Sequence, residues 1–244
     1  MTGSCFAERL ARYVPLTDSE KRALERLENN PRDLPRGATI TRENDNCDEM
    51  YVLRHGWAMS YLILDDGSRQ ILRLHFPGDM FGTSSAAFGE ATESLVTMSH
   101  ATLCPFDKQA LRVVFDEHPR LAALFFIIAQ AERVSLTDRL ASLGRTSAKA
   151  RVAALLTDML VRLRFLNKDI SDTIPLKLTQ EEIGDATGLT AVHVNRMMRA
   201  LAEDGLVMRN NGNLVIRDEQ GLARIANYVN RYAELDLGWL PAPR

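Results

Sequence analysis

The 244-residue sequence predicts an α+β fold in which an antiparallel barrel is followed by helices, and three features carry this prediction. Between residues 37 and 106, short runs of strand-forming residues alternate with turn residues such as Asp66-Gly67. After Pro119 a long apolar pattern of helical period begins, and residues 178–217 then contain two short capped helices and a hairpin signal. Strands first and helices afterwards are typical of the α+β class, and the strand spacing favours a jelly-roll barrel.

The composition is that of an ordinary globular protein, with 45% hydrophobic residues, 25% charged residues and a formal net charge of −2. No run of eighteen apolar residues occurs, and the first ten residues lack a basic region followed by an apolar stretch. The sequence therefore predicts a cytoplasmic protein that does not use a membrane.

The cysteines and histidines argue against a metal centre or a catalytic site. Cys5, Cys47 and Cys104 are odd in number and widely spaced, so they match neither a disulfide framework nor a Cys-x-x-Cys metal site. The five histidines are scattered in the same way. We therefore predict reduced thiols, no metal, no cofactor, no catalytic residues and no enzymatic activity.

Five segments are predicted along the chain. The first contains a helix that begins after Thr17 or Asp18, and the last contains a helix over 221–237 with Leu222, Ile225, Val229 and Tyr232 on one face and Trp239 as an anchor. The predicted bounds are 1–36 for the N-terminal helical segment, 37–113 for the sensor barrel, 114–144 for the dimerisation helix, 145–220 for the second domain and 221–244 for the C-terminal helix and tail.

The barrel is predicted from strands at 51–56, 57–64 and 71–76, followed by further strand from 95 to 106. The long helix is predicted from about 120 to 143, with Gly144 as its break. A further helix follows at about 148–165, and 167–175 is predicted as a loop. The long helix has an apolar seam formed by Leu121, Leu124, Phe125, Ile128 and Ala131.

Residues 178–190 predict the first helix and the turn of a helix-turn-helix. Thr179 is placed to cap a helix over 180–187, and Glu182 occupies the capping-box position three residues later. Gly188 supplies a turn residue that is free to adopt positive φ, and Thr190 can cap the next helix.

The second helix is predicted over 191–203 and ends at Asp204-Gly205. Beyond it, two apolar runs flank Asn211-Gly212, which is a strong hairpin signal and completes a winged helix-turn-helix. The apolar face of the second helix carries Val194, Met197, Met198 and Leu201.

The opposite side of this unit predicts contacts with double-stranded DNA. Arg196 can bind a guanine bidentately in the major groove, and Arg199 is better placed for a phosphate. Residues 145–217 contain eleven Lys and Arg against eight Asp and Glu, which suits DNA binding. The predicted DNA-facing residues are Thr179, Gln180, Thr190, Ala191, Val192, His193, Asn195, Arg196 and Arg199. Because DNA is read in half-sites, we predict that the apolar seam of the long helix pairs two copies; packing on the chain's own barrel is the alternative.

Three segments resemble the Crp/Fnr family of bacterial transcription regulators. They are PGDMFG at 77–82, AKARVAALL at 148–156 and the helix-turn-helix at 178–207. The resemblance covers nearly the whole chain and implies a homodimer that binds a pseudo-palindromic promoter site and contacts RNA polymerase.

The sequence departs from this family at three places. Thr83 stands where members that bind cyclic AMP have a glutamate, and Glu93-Ser94 stand where they have an Arg-Ser or Arg-Thr pair. Because Glu93 would repel a cyclic phosphate, we predict a degenerate ligand cassette without cyclic AMP. Iron–sulfur members use four cysteines, which this chain lacks. In the recognition helix, Val192 replaces a common glutamate, so we predict an altered half-site.

Several alternatives remain open at this point. A haem sensor of the same fold would use His55, His75 or His100, although a strand histidine is more often a surface or satisfied residue. A thiol redox sensor would use Cys47 or Cys104. A cupin-like enzyme or a sensing module without DNA binding is less well supported, because the histidine pattern of cupins is missing and the helix-turn-helix is present. A regulator without a canonical ligand is favoured.

Overall fold

The structure is a computed structural model that describes residues 3–243 of the chain. Residues 1, 2 and 244, at the ends of the predicted segments 1–36 and 221–244, lie outside the described residues. The chain divides into two compact units. The first comprises Met1–Leu62, Leu72–Gln130 and Leu235–Arg244, and the second comprises Ile63–Ile71 and Ala131–Glu234. Within the described part of the chain, no helix is long and apolar enough to cross a membrane.

Two short helices open the first unit, α1 (Cys5–Leu10) and α2 (Asp18–Arg26). The predicted start of α2 is confirmed, and Thr17 is its cap. The Thr17 hydroxyl accepts a bond from the Glu20 backbone N–H at 3.2 Å, and the Glu20 carboxylate accepts one from the Thr17 N–H at 2.8 Å. This reciprocal pair satisfies two backbone donors that the first turn of a helix would otherwise leave without partners.

The predicted barrel is present as two four-stranded sheets, ordered β1-β8-β3-β6 and β2-β7-β4-β5. The first apolar core contains residues of both sheets, among them Leu53, Phe81 and Leu95. The strands are β1 (Arg32–Leu34), β2 (Thr39–Thr41), β3 (Glu49–His55), β4 (Ala58–Ile63), β5 (Arg69–His75), β6 (Met80–Phe81), β7 (Ser94–Thr97) and β8 (Ala101–Asp107).

Strand β1 differs from the sequence prediction, because it lies in the segment 1–36 that was expected to be helical. It pairs antiparallel with β8, with Arg32 opposite Leu103. Arg32 and Asp33 are both exposed, so β1 has no alternation of apolar and polar residues from which a strand could be predicted. Its backbone pairing with β8, about seventy residues away in sequence, defines it.

Two helices follow the barrel, α3 (Lys108–Glu117) and α4 (Pro119–Arg145). Helix α3 was not predicted, although Asp107 caps it by accepting a bond from the Ala110 N–H at 2.8 Å. The long helix α4 is confirmed, but Gly144 does not break it and the helix continues to Arg145. A single glycine lowers helix stability by only about 1 kcal/mol, so a helix of 27 residues can include one in its last turn.

Four residues of the predicted apolar seam of α4 pack inside the first unit. Leu121, Leu124 and Phe125 are buried in a second core with residues of α1, α2, β3 and β8, and Ile128 packs against the same core. Ala131 is also buried. This packing favours the alternative left open for Leu121, Leu124 and Phe125, which the chain's own helices and barrel cover; pairing of two copies through α4 stays a prediction.

Besides Ile63–Ile71, the second unit contains the C-terminal half of α4 and α5 (Ala148–Leu166), and α5 packs against both helices of the helix-turn-helix. The remaining elements are β9 (Thr173–Pro175), α6 (Gln180–Thr187), α7 (Ala191–Glu203), β10 (Val207–Asn210), β11 (Asn213–Ile216) and α8 (Glu219–Ala226). The predicted loop at 167–175 is wrong at its end, because β9 joins the wing in the sheet order β10-β11-β9. Ile174 of β9 is fully buried and fixes this third strand.

The C-terminal helix is shorter than predicted. Helix α8 ends at Ala226 because Asn227 adopts a left-handed conformation with φ of 48°. Val229, predicted on the packed face of this helix, is 53% exposed, and Trp239, predicted as the anchor of the tail, is 55% exposed. Leu237 and Leu240 pack instead against the second core of the first unit, which also contains Phe6 and Leu10.

Candidate nucleic-acid interface

Helix α6 begins at the predicted residue and is capped in the predicted way. The Thr179 hydroxyl accepts a bond from the Glu182 N–H at 3.1 Å, and the Glu182 carboxylate accepts one from the Thr179 N–H at 2.7 Å. Thr179 itself is exposed and Gln180 is partly exposed. Both lie at the positive end of the helix dipole, which is a favourable place for a phosphate.

The turn between α6 and α7 depends on two glycines, of which sequence reasoning identified only one. Gly188 ends α6 in a left-handed conformation with φ of 65°. Gly184 is helical, but a Cβ there would lie under 3.0 Å from the carbonyl oxygen of Leu189. The Leu189 N–H also donates to the Gly184 carbonyl at 3.0 Å. A side chain at position 184 would therefore push the turn away from α6.

Three side chains that sequence reasoning missed hold the last carbonyls of α6. Gln70 donates to the Asp185 carbonyl at 2.7 Å, Arg139 to that of Ala186 at 2.8 Å, and Arg151 to that of Thr187 at 2.9 Å. These carbonyls lack partners within the helix, so the bonds fix the end of α6 just before the turn. The donors come from distant parts of the chain, and no local signal marks them.

Helix α7 presents its predicted faces. Val194, Met198 and Leu201 are buried, and Met197 is partly buried. On the other side, Val192 is 82% exposed, and Arg196 and Arg199 are also exposed. The remaining residues predicted to face DNA are exposed or partly exposed, namely Thr190, Ala191, His193 and Asn195.

The two arginines on this face have different surroundings. Within residues 3–243, neither Arg196 nor Arg199 forms an ion pair with a carboxylate. Arg196, however, donates from Nη2 to the Nε2 atom of His193, one turn earlier on the helix. Both guanidinium groups therefore remain available to an anionic or hydrogen-bonding partner, and the position of one of them is set by a neighbour.

The wing is the β10–β11 hairpin, in which Asn210 pairs with Asn213. Its two turn residues, Asn211 and Gly212, have φ of 46° and 79°, as a tight hairpin turn requires. Arg209 at the tip is exposed. The unit thus contains two capped helices, a glycine turn and a hairpin that carries a positive charge.

Comparisons with known proteins agree with this architecture. Residues 31–118 match the cyclic nucleotide-binding domain, and residues 150–225 match the Crp-like helix-turn-helix domain. The chain is 31% identical over 190 residues to the nitrogen fixation regulation protein FixK of Bradyrhizobium diazoefficiens. The aligned region covers 78% of this chain and 79% of that protein. The chain belongs to the Crp/Fnr family of transcription regulators.

Two further relatives support the same assignment. The fumarate and nitrate reduction regulatory protein of Escherichia coli is 22% identical over 230 residues, which is 94% of this chain and 91% of that protein. The solved structure of FixK2 from Bradyrhizobium japonicum superimposes with a TM-score of 0.72 at 25% identity, covering 80% of this chain and 96% of that one. These relatives are transcription regulators and not enzymes.

In this Crp/Fnr regulator, Thr83 of the predicted ligand cassette lies after β6, and Glu93 and Ser94 lie at the start of β7. Thr83 is exposed and begins a 3-10 turn (Thr83–Ala86). The Ser94 hydroxyl already accepts a bond from the Glu43 N–H at 3.0 Å. Burial raises the pKa of the Glu93 carboxyl, although a hydrogen bond from Ser60 and the charge of Arg73 oppose this shift. None of Thr83, Glu93 and Ser94 carries a positive charge. The Glu93 carboxyl group lies within the electrostatic influence of Arg73.

Of the residues named in the haem and thiol alternatives, His75, Cys47 and Cys104 are buried, whereas His55 and His100 are exposed. His75 is buried, stacks on Phe81 with ring centroids 4.8 Å apart, and has its Nε2 atom 3.4 Å from the Ser60 hydroxyl. It is thus a residue of the interior and not a surface one. Cys104 is fully buried, and burial raises the pKa of its thiol to about 11, which disfavours the reactive thiolate. Cys47 is buried and donates to the Glu49 carbonyl at 3.3 Å.

Proposed function

We propose that this Crp/Fnr regulator is a cytoplasmic protein that binds a pseudo-palindromic promoter site as a homodimer, contacts RNA polymerase there, and does so without cyclic AMP. The observation that carries the proposal is the open face of α7, where Arg196 and Arg199 are exposed beside Val192. In a winged helix-turn-helix this face enters the major groove with its N-terminus first.

Each exposed residue of α7 has a role suited to its chemistry. Arg196 presents two parallel N–H donors, which match the O6 and N7 acceptors of guanine. Val192 offers only apolar contact, for example with the methyl group of thymine, where many relatives offer a carboxylate. Arg199 lies one turn further along the helix and neutralises a phosphate. The cap at Thr190 fixes where α7 begins, so each of these residues keeps its position on the exposed face.

A second face of α4 supports the homodimer. The exposed residues Phe126, Ala129, Arg133, Leu136 and Leu140 recur at alternating spacings of three and four. This is the spacing of a two-helix coiled coil, and the stripe lies beside the buried residues that the sequence first indicated. We therefore assign the dimer seam to this stripe, with Phe126, Leu136 and Leu140 as its large apolar members. Half-sites about 10 base pairs apart, centre to centre, would then face the two copies of α7.

The absence of a cyclic AMP requirement rests on Glu93. At about 4 Å and an effective dielectric constant near 20, two like charges repel by about 4 kcal/mol, so a carboxylate at this position opposes a cyclic phosphate. A protonated Glu93 would remove the repulsion but would still lack the positive charge of an arginine. Neither form provides the anchor that a cyclic nucleotide needs.

The function is tested by selecting duplexes from a randomised library with the full-length protein and measuring their dissociation constants. Arg196→Ala should weaken binding to the selected site by about 1–3 kcal/mol and remove the preference for guanine at one position of each half-site. Arg199→Ala is the matched control, because losing a phosphate contact should weaken binding to all duplexes alike. Adding cyclic AMP to the same assay should leave the dissociation constants unchanged.

Two outcomes would contradict the proposal. If Arg196→Ala bound the selected duplex as tightly as the parent protein, the assignment of the reading residue would be wrong. If selection with the parent protein returned no enriched sequence, whereas addition of cyclic AMP produced one, the proposal of ligand-independent binding would fail.

A further inference from the structure

We propose that His193 is a positioning residue that holds Arg196 in the orientation for reading guanine. This inference rests on the proposed function of Arg196 and adds a residue to it. Its observation is the hydrogen bond from Arg196 Nη2 to His193 Nε2 on the exposed side of α7.

The chemistry of the two groups fixes the direction of this bond. A guanidinium has five N–H donors and no acceptor, so the imidazole nitrogen must be the acceptor. An imidazole nitrogen accepts only through a lone pair, so the bond requires that Nε2 carries no proton. The contact uses Nε2, which is the ring nitrogen farther from the backbone.

Local structure makes His193 a firm point of attachment. Its backbone N–H donates to the hydroxyl of the cap residue Thr190 at 3.3 Å, so it belongs to the capped first turn of α7. Residues three apart lie on the same side of a helix, which places Arg196 directly above it. Helix geometry alone thus brings the two side chains together before DNA is present.

Arg199 provides a comparison within the same helix. It is exposed as Arg196 is, but it has no hydrogen bond or ion pair within the described residues. A phosphate is read as a point of charge and tolerates a mobile side chain, whereas bidentate recognition of guanine requires the plane of the fork to be aligned. Arg196, which is predicted to read a base, is thus the arginine that has a hydrogen-bond partner on the helix, His193.

The expected size of the effect follows from side-chain ordering. Immobilising one long side chain on binding costs an amount that corresponds to about a twofold to tenfold change in affinity. His193 lowers this ordering cost only for the duplex whose guanine accepts both hydrogen bonds of the Arg196 guanidinium. His193→Ala should therefore reduce the discrimination between guanine and adenine at the Arg196 position by about twofold to tenfold, with little change in non-specific binding.

The base pair read by Arg196 is first identified as the position at which Arg196→Ala no longer discriminates between bases. Dissociation constants of the full-length protein are then measured for the selected duplex and for duplexes that carry each of the other base pairs at that position. His193→Gln should restore discrimination, because its amide oxygen can reach the position of Nε2. His193→Asn should not, because its shorter amide reaches only the position of Nδ1. Circular dichroism and thermal unfolding would verify that all variants are folded.

Four outcomes would overturn the inference. A uniform loss with His193→Ala on every duplex would indicate a phosphate contact or a structural role, and a loss at a different base pair would indicate that His193 reads DNA itself. Unchanged discrimination with His193→Ala, or failure of His193→Gln to restore it, would also refute a positioning role. If Arg196→Ala discriminates as the parent does, the proposed function of Arg196 itself fails, and this result is recognisable without any His193 variant.

Discussion

Leu140→Glu is the sharpest test of the reassigned dimer seam. Leu140 is 71% exposed on α4, and Leu136 and Phe126 on the same stripe are 47% and 58% exposed. Fully burying a leucine side chain stabilises by about 1.5–3 kcal/mol, so burying the exposed part of Leu140 contributes about 1–2 kcal/mol per copy. Because a twofold interface uses each residue twice, the substitution removes about 2–4 kcal/mol.

This free energy predicts a measurable change in association. The dimer dissociation constant should rise by about 30-fold to 700-fold, as measured by sedimentation equilibrium over a dilution series. The two glutamates add like-charge repulsion and desolvation, so this range is a lower estimate. DNA binding should weaken in parallel, because the proposed pseudo-palindromic site requires two copies.

Leu121→Ala is the matched control on the same helix. Leu121 is fully buried in the chain's own core, so its truncation should reduce the free energy of unfolding by about 2–5 kcal/mol. Among folded molecules, it should leave the dimer dissociation constant unchanged. The reasoning would be refuted if Leu140→Glu associated as tightly as the parent protein, or if Leu121→Ala dissociated the dimer without lowering stability.

Two further predictions concern the turn of the helix-turn-helix and the barrel. Gly184→Ala should destabilise the second unit by about 1–3 kcal/mol in urea unfolding and weaken DNA binding, because the new methyl group would meet the Leu189 carbonyl; equal or greater stability would show that the turn yields freely. Burial raises the pKa of Tyr51 to about 12, so its stabilising contribution should be fully present below pH 10 and be lost as the pH rises towards 12. Tyr51→Phe should lose less stability than the parent protein over this range, and equal losses would contradict the shift.

The sequence by itself determined the elements whose signals are local. The capping box at Thr179 and Glu182, the turn at Gly188 and the hairpin at Asn211-Gly212 all depend on residues within a few positions of each other. For that reason helices α6 and α7 were predicted with their observed bounds. The departures from the family's ligand cassette could also be identified from the sequence, because the position of the expected arginine is occupied by Glu93.

Tertiary structure alone decided which apolar face of α4 remains exposed and can contact a second copy. Periodicity identified Leu121, Leu124 and Phe125 as one face of a helix, but it cannot distinguish a face covered by the chain's own core from one covered by a second copy. The exposed stripe with Leu136 and Leu140 has weaker periodicity because Arg133 lies within it. Only the packing of α1, α2 and the barrel shows that the stronger face is already occupied.

Distant contacts were likewise decided by the fold. The bonds from Gln70, Arg139 and Arg151 to the end of α6 join residues up to 115 positions apart, so no window of the sequence contains both partners. The same holds for β1, whose pairing with β8 defines it more than its own residues do. Caps and turns are local free-energy minima of a short segment, whereas burial and sheet pairing depend on which other segments are brought alongside.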